Sequence, residues 1–134
     1  MEITVRHLGS VQFEAEARGH RVVCDQPLDN GGYDEGMTPP EFLLIALGTC
    51  AGFYVAQYFN AHSLVCPELE IKVAAEKAQA PARLGSFRIE VIAPSLDPQH
   101  EAGVLRAVRK CLIHNTLLNP PQIETVVRCG ALQS

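Results

Sequence analysis

Cys50 and Cys111 are the residues of this chain whose type and placement best fit chemistry. Cys50 lies inside Phe42–Ala56, a run almost wholly apolar or small, where Leu43, Ala46, Leu47, Phe53 and Tyr54 share its side at helical spacing. Cys111 follows Val104, Leu105 and Val108 at intervals of three and four and precedes Leu112, so it falls on the apolar side of a second helical segment. Two inward thiols on helices that pack together would form a redox or nucleophilic pair. Two core cysteines packed as small hydrophobes would leave the same pattern, and spacing alone does not separate the readings.

Other chemistries find less support. The five cysteines, Cys24, Cys50, Cys66, Cys111 and Cys129, are odd in number and include no CxxC, which argues against a secreted disulfide framework and against a zinc ribbon. Cys24, Cys66 and Cys129 read as structural. Cys111 and His114 make half a metal site, but no further ligands stand at readable spacing. As a hydrolase pair they lack an orienting group, and His114 reads better as a helix-end residue partnering backbone carbonyls. Gly31-Gly32 and Gly36 lack the spacing and lysine of a phosphate-binding loop. Neither metal nor cofactor is expected.

The elements that must position the two thiols follow from pattern. Ile3 to His7 and Val11 to Ala17 alternate around a Gly9-Ser10 turn, and Arg18-Gly19 turns the chain into a third strand, His20–Cys24. Asp25 to Met37 is a long Gly- and Asp-rich loop. Thr38-Pro39-Pro40-Glu41 is a helix start, with Thr38 as cap and Glu41 completing a capping box. The helix that follows has no polar face and must be buried on every side. Glu41, Gln57 and Asn60 bracket an apolar stretch shorter than the roughly 20 residues a bilayer needs, so a core helix is expected and no membrane. Leu69 to Ala75 and Phe87 to Val91 alternate as two strands. Asp97-Pro98 opens the second helix, on which Arg106, Arg109 and Lys110 form a solvated side, and Ile123 to Cys129 supplies a last strand. The grouping is α+β, one domain over residues 1–134. Covering the central helix asks more of one sheet layer than so short a chain offers, so a homodimer is expected. A net charge of −4 with scattered signs argues against nucleic acid, and the strand-like start at Glu2–Arg6 is unlike a secretory signal, which points to the cytoplasm.

The segment Gly36-Met37-Thr38-Pro39-Pro40-Glu41-Phe42-Leu43-Leu44-Ile45-Ala46-Leu47-Gly48-Thr49-Cys50 resembles the G-x-x-P-x-E-L-L-L-A-A-L-G-S-C signature of the OsmC/Ohr group, and Lys110 to Leu117 resembles its second cysteine motif with the trailing N-T-L. Strand order, helix order and cysteine separation extend the likeness over nearly the whole chain. The resemblance implies an intertwined homodimer with a site at each subunit interface. It also implies that Cys50 attacks a peroxide oxygen, that Cys111 resolves the sulfenic acid to a disulfide, and that a dithiol such as a dihydrolipoyl group resets it.

A buried mid-helix thiol at Cys50 is held above the free value of about 8.5 unless a cation lowers it. The resemblance assigns that task to an arginine in the turn after the second strand, where this chain has Arg18. A fall from about 8.5 to about 6 would raise the thiolate at pH 7 from a few per cent to roughly 90%. The peroxidase branches also carry a glutamate ten residues before the nucleophile to orient that arginine. Here that position is Pro40, leaving Glu35 or Asp34 as substitutes. Two classes of function follow: a thiol peroxidase using Cys50, Cys111 and Arg18, or a noncatalytic small-molecule-binding or redox-sensing protein that keeps the fold.

Overall fold

The computed structural model describes residues 1–130. The first strands, β1 (Thr4–Gly9), β2 (Gln12–Ala17) and β3 (His20–Cys24), form an antiparallel sheet in that order. The β2–β3 turn holds Arg18 and Gly19 at positive φ, 52° and 82°, the backbone that a two-residue hairpin requires. Register sets Val5 beside Ala15 and Ala15 beside Val22, so those residues and Phe13 share one face. The other face carries a charge ladder in which Glu16 accepts from Arg21 Nε at 2.8 Å and meets Arg6 at 3.5 Å. The apolar face is open, with Val5, Phe13 and Val22 all exposed. Beyond marginal contact, this sheet packs on no other element among the described residues.

The Gly- and Asp-rich loop is tied to Asp25, which is wholly buried. Its carboxylate accepts from Gln12 Nε2 (2.9 Å) and from the backbone N–H groups of Gln26 (2.8 Å), Tyr33 (3.1 Å) and Glu35 (3.1 Å). Burial alone would raise its pKa, but the Gln12 amide and the three backbone donors outweigh it and hold the group below its ordinary value. A depressed carboxylate stabilises the fold above the unfolded value near 3.8, and that contribution fades as pH falls through the still lower folded value. Asp25→Asn is therefore expected to unfold more readily than wild type at pH 7, with the gap narrowing below about pH 4. Denaturant titrations at several pH values check this, and a gap that widens toward acid would refute it. Gly32 is enforced here, since a Cβ would run into the Gln26 carbonyl and the Asp25 side chain.

Helix α1 spans Pro39–Ala61 and begins with the expected box: Thr38 N–H donates to Glu41 Oε1 at 2.9 Å, and the Thr38 hydroxyl accepts from Glu41 N. Its 23 residues run past Gln57 and Asn60, longer than the bracketed stretch and sufficient in length and apolarity to cross a bilayer. Leu47, Ala51, Val55 and Phe59 are buried. The expectation of burial on all sides is not met within one chain, because Phe53 is 56% exposed and Ile45 37%. Gly48 lets β4 approach closely, with Val73 Cγ2 2.9 Å from where a Cβ would stand. Phe59→Ala empties the centre of the core cluster and should cost about 3–5 kcal/mol, read by denaturant unfolding at fixed protein concentration. A loss well below 1 kcal/mol would show that the core does not rest on this ring.

Strands β4 (Glu70–Ala78) and β5 (Arg83–Ile92) form a second antiparallel sheet whose inner positions, Ile71, Ile89 and Val91 among them, pack against the buried core, with β4 the strand that lies against α1. A 3-10 turn, Pro98–His100, capped by Asp97 on Gln99 N–H (3.0 Å), leads into α2 (Glu101–Val108), which buries Val104, Ala107 and Val108. Two expectations fail beyond this point. The second helix does not run through Cys111: it ends at Val108, the chain turns, and a separate helix α3 (Leu112–Leu118) starts after Cys111. Ile123–Cys129 forms no strand and is exposed throughout, since alternation makes a strand only where a ladder partner is offered.

Candidate active site

The turn after α2 swings Cys111 inward. Its side chain is fully buried and caps α3, with Sγ accepting the His114 backbone N–H at 3.4 Å. Cys50, half-buried at mid-α1, faces it, and both thiols are free. Burial pushes Cys50 upward, but the Cys111 thiol and the backbone N–H groups of Ile113 and Leu112 outweigh it, so Cys50 lies below its ordinary value. Cys111 is pushed the other way, by burial first and by donating to Cys50 second. The pair is thus polarised, with Cys50 the better nucleophile and Cys111 the proton-holding partner.

Cys50 departs from the expectation that a buried mid-helix thiol stays above its free value unless a cation lowers it, because no cation is among the groups that lower it. Its own helix offers Cys50 nothing, but the first backbone N–H groups of α3 lie near enough to favour its anion. No side-chain type advertises Leu112 and Ile113 for this role, because the donors are backbone groups placed by the turn at Arg109–Cys111. His114 is likewise not at the C-terminal end of a helix: it sits in the first turn of α3, and its Nδ1 is a buried atom without a hydrogen-bond partner among the described residues. An open cavity of about 1010 Å³ is lined by Leu47, Phe87, Ile89, Val104, Val108 and His114 among others; these include chain neighbours of both thiols, but neither Cys50 nor Cys111 lines it.

Arg18 stands apart in this chain. It lies in the exposed β2–β3 turn and, among the described residues, enters no ion pair. Glu35 accepts from Gln12 Nε2 at 2.8 Å, so its carboxylate serves the Asp25 knot. Pro40 and Glu41 are both in the first turn of α1, where Glu41 is the capping-box member.

A family model described as OsmC-like protein matches residues 32–126, a span that includes both cysteine segments. The chain belongs to the OsmC-like protein family. Solved structures share its fold at low identity. An OsmC-like protein from Mycoplasma pneumoniae superposes with TM-score 0.73 at 18% identity, covering 89% of this chain and 87% of that one. An organic hydroperoxide resistance protein from Elizabethkingia anophelis gives 0.62 at 13%, covering 88% and 87%. One from Legionella pneumophila gives 0.60 at 11%, covering 87% of each. No curated protein sequence matches the chain. The OsmC-like fold is α+β, with two antiparallel sheets and three helices, and α1 packs against β4, α2 and α3.

Proposed function

We propose that this OsmC-like protein is a thiol-dependent peroxidase that reduces organic hydroperoxides or hydrogen peroxide through Cys50 and Cys111, in the cytoplasm and as a homodimer. The observation that carries the reading is geometric: two free thiols, Cys50 from α1 and the buried Cys111 that caps α3, are brought together from segments about sixty residues apart in the chain. The Cys50 thiolate attacks a peroxide oxygen, the O–O bond breaks, and the alcohol leaves with a proton. Cys111 then attacks the Cys50 sulfenic acid, forming the disulfide and releasing water. A dithiol, of the dihydrolipoyl type, exchanges with the disulfide and restores both thiols.

The dimer supplies what one chain leaves open. The bare apolar face of β1–β3 and the exposed Phe53 and Ile45 of α1 are surfaces a second copy would cover. In that arrangement Arg18 serves the partner's Cys50 as a positive neighbour. A noncatalytic binding or sensing protein is the second reading, favoured by Pro40 at the usual glutamate position and by the engagement of Glu35 with Gln12. Titrating free thiols before and after one equivalent of cumene hydroperoxide decides between them. The peroxidase reading expects two thiols lost per chain, and no loss would establish the alternative.

A further inference from the structure

Helix α3 begins on a sulfur. Oxygen side chains are the usual caps, and a thiol sulfur is a weaker acceptor, so the Cys111 cap on the His114 N–H is a soft one. The helix has little else to hold it. It is seven residues long, buries none of them, and packs on α1, while Leu112 and Leu118 are largely exposed. A helix this short has negligible stability of its own, so its order depends on the cap and on that one contact. Its other side is structural for the cavity, whose wall includes His114, Leu117 and Leu118.

We propose that closing a Cys50–Cys111 disulfide withdraws the cap from α3, so that the cavity wall made by His114, Leu117 and Leu118 loosens in the oxidised protein and re-forms on reduction. The inference rests on the thiol-pair reading above. In the closing step a hydroperoxide accepts two electrons across its O–O bond, two thiol protons are taken up, and an alcohol and water leave as the S–S bond forms. Cys111 Sγ is then drawn toward α1 and bonded to a second sulfur, which makes it a poorer acceptor for the His114 amide. The cycle gains order of access from this. A peroxide meets the closed, thiol form, whereas the bulkier dithiol meets the form in which the wall has slackened beside the bond it must attack.

Hydrogen exchange over residues 112–118, followed by mass spectrometry, tests the device. Samples are the reduced protein, protein oxidised with diamide, protein oxidised with cumene hydroperoxide, and the reduced variants Cys111→Ala and Cys111→Ser. Loss of an ordinary oxygen cap corresponds to an increase of about fivefold in opening, so losing this softer one should raise exchange by about two- to fivefold in the oxidised protein and in Cys111→Ala. Cys111→Ser, which keeps a capping atom, should exchange like the reduced wild type. Unchanged exchange in diamide-oxidised protein whose mass confirms the loss of two hydrogens overturns the inference and leaves the peroxidase reading standing. Failure of diamide to close the bond also overturns it. If diamide closes the bond and the hydroperoxide does not, the peroxidase reading falls, and the diamide sample alone judges the helix.

Discussion

Cys50→Ser is expected to reduce turnover of cumene hydroperoxide with a dihydrolipoyl reductant by about a thousandfold or more. A serine hydroxyl at mid-α1 receives the same Leu112 and Ile113 amides, but it does not ionise near neutral pH. Removing the sulfur therefore removes the nucleophile while leaving the local hydrogen bonds nearly intact. The substitution is small and the site only half-buried, so the variant should fold, and a matching thermal unfolding curve separates lost chemistry from lost structure. Turnover within a factor of a few of wild type would place the nucleophile elsewhere and end the peroxidase proposal in its present form.

Cys111→Ser should separate the two halves of the cycle. The first equivalent of peroxide still oxidises Cys50, which then persists as a sulfenic acid that dimedone labels, because no neighbouring thiol condenses with it. Sustained turnover with the dithiol should fall by about a hundredfold, since reduction now begins from a sulfenic acid exposed to overoxidation rather than from a disulfide. Cys111→Ala, which removes the donor altogether, should make Cys50 harder to ionise, so its alkylation by iodoacetamide should shift to higher pH in that variant. The shift is upward because the Cys111 hydrogen bond favours the Cys50 anion. Full turnover in Cys111→Ser would remove the resolving role, and an unchanged alkylation profile in Cys111→Ala would show that the two sulfurs do not share a proton.

What could be read from the sequence divides along a physical line. The start of α1 was legible because Thr38, Pro39 and Glu41 act within one turn of each other, and the structure has that box bond for bond. The three-strand meander was legible because alternation and the Arg18-Gly19 turn are local signals. The break before Cys111 was not legible. Val104, Val108, Cys111 and Leu112 continue a helical stripe on paper, and no glycine or proline interrupts them. What ends α2 is tertiary, the closure of Cys111 onto Cys50, and spacing carries no record of it. The tail strand failed for the opposite reason. Ile123 to Val127 has the pattern, but a pattern specifies a strand only when another edge lies alongside. Asp25 shows the same limit, since an aspartate in a glycine-rich loop reads as solvated until its four donors are seen.

Surface loops ordinarily accept insertions and deletions, and a thirteen-residue glycine-rich connection would be the natural place for a fusion or a tag. Here the carboxylate of Asp25 gathers amides from positions one, eight and ten residues downstream, and Gly32 leaves no room beside it. Lengthening the segment by even one residue shifts that set out of phase. The connection thus works as a fixed-length spacer that sets where the long helix begins, and engineered additions to this protein belong at its other turns.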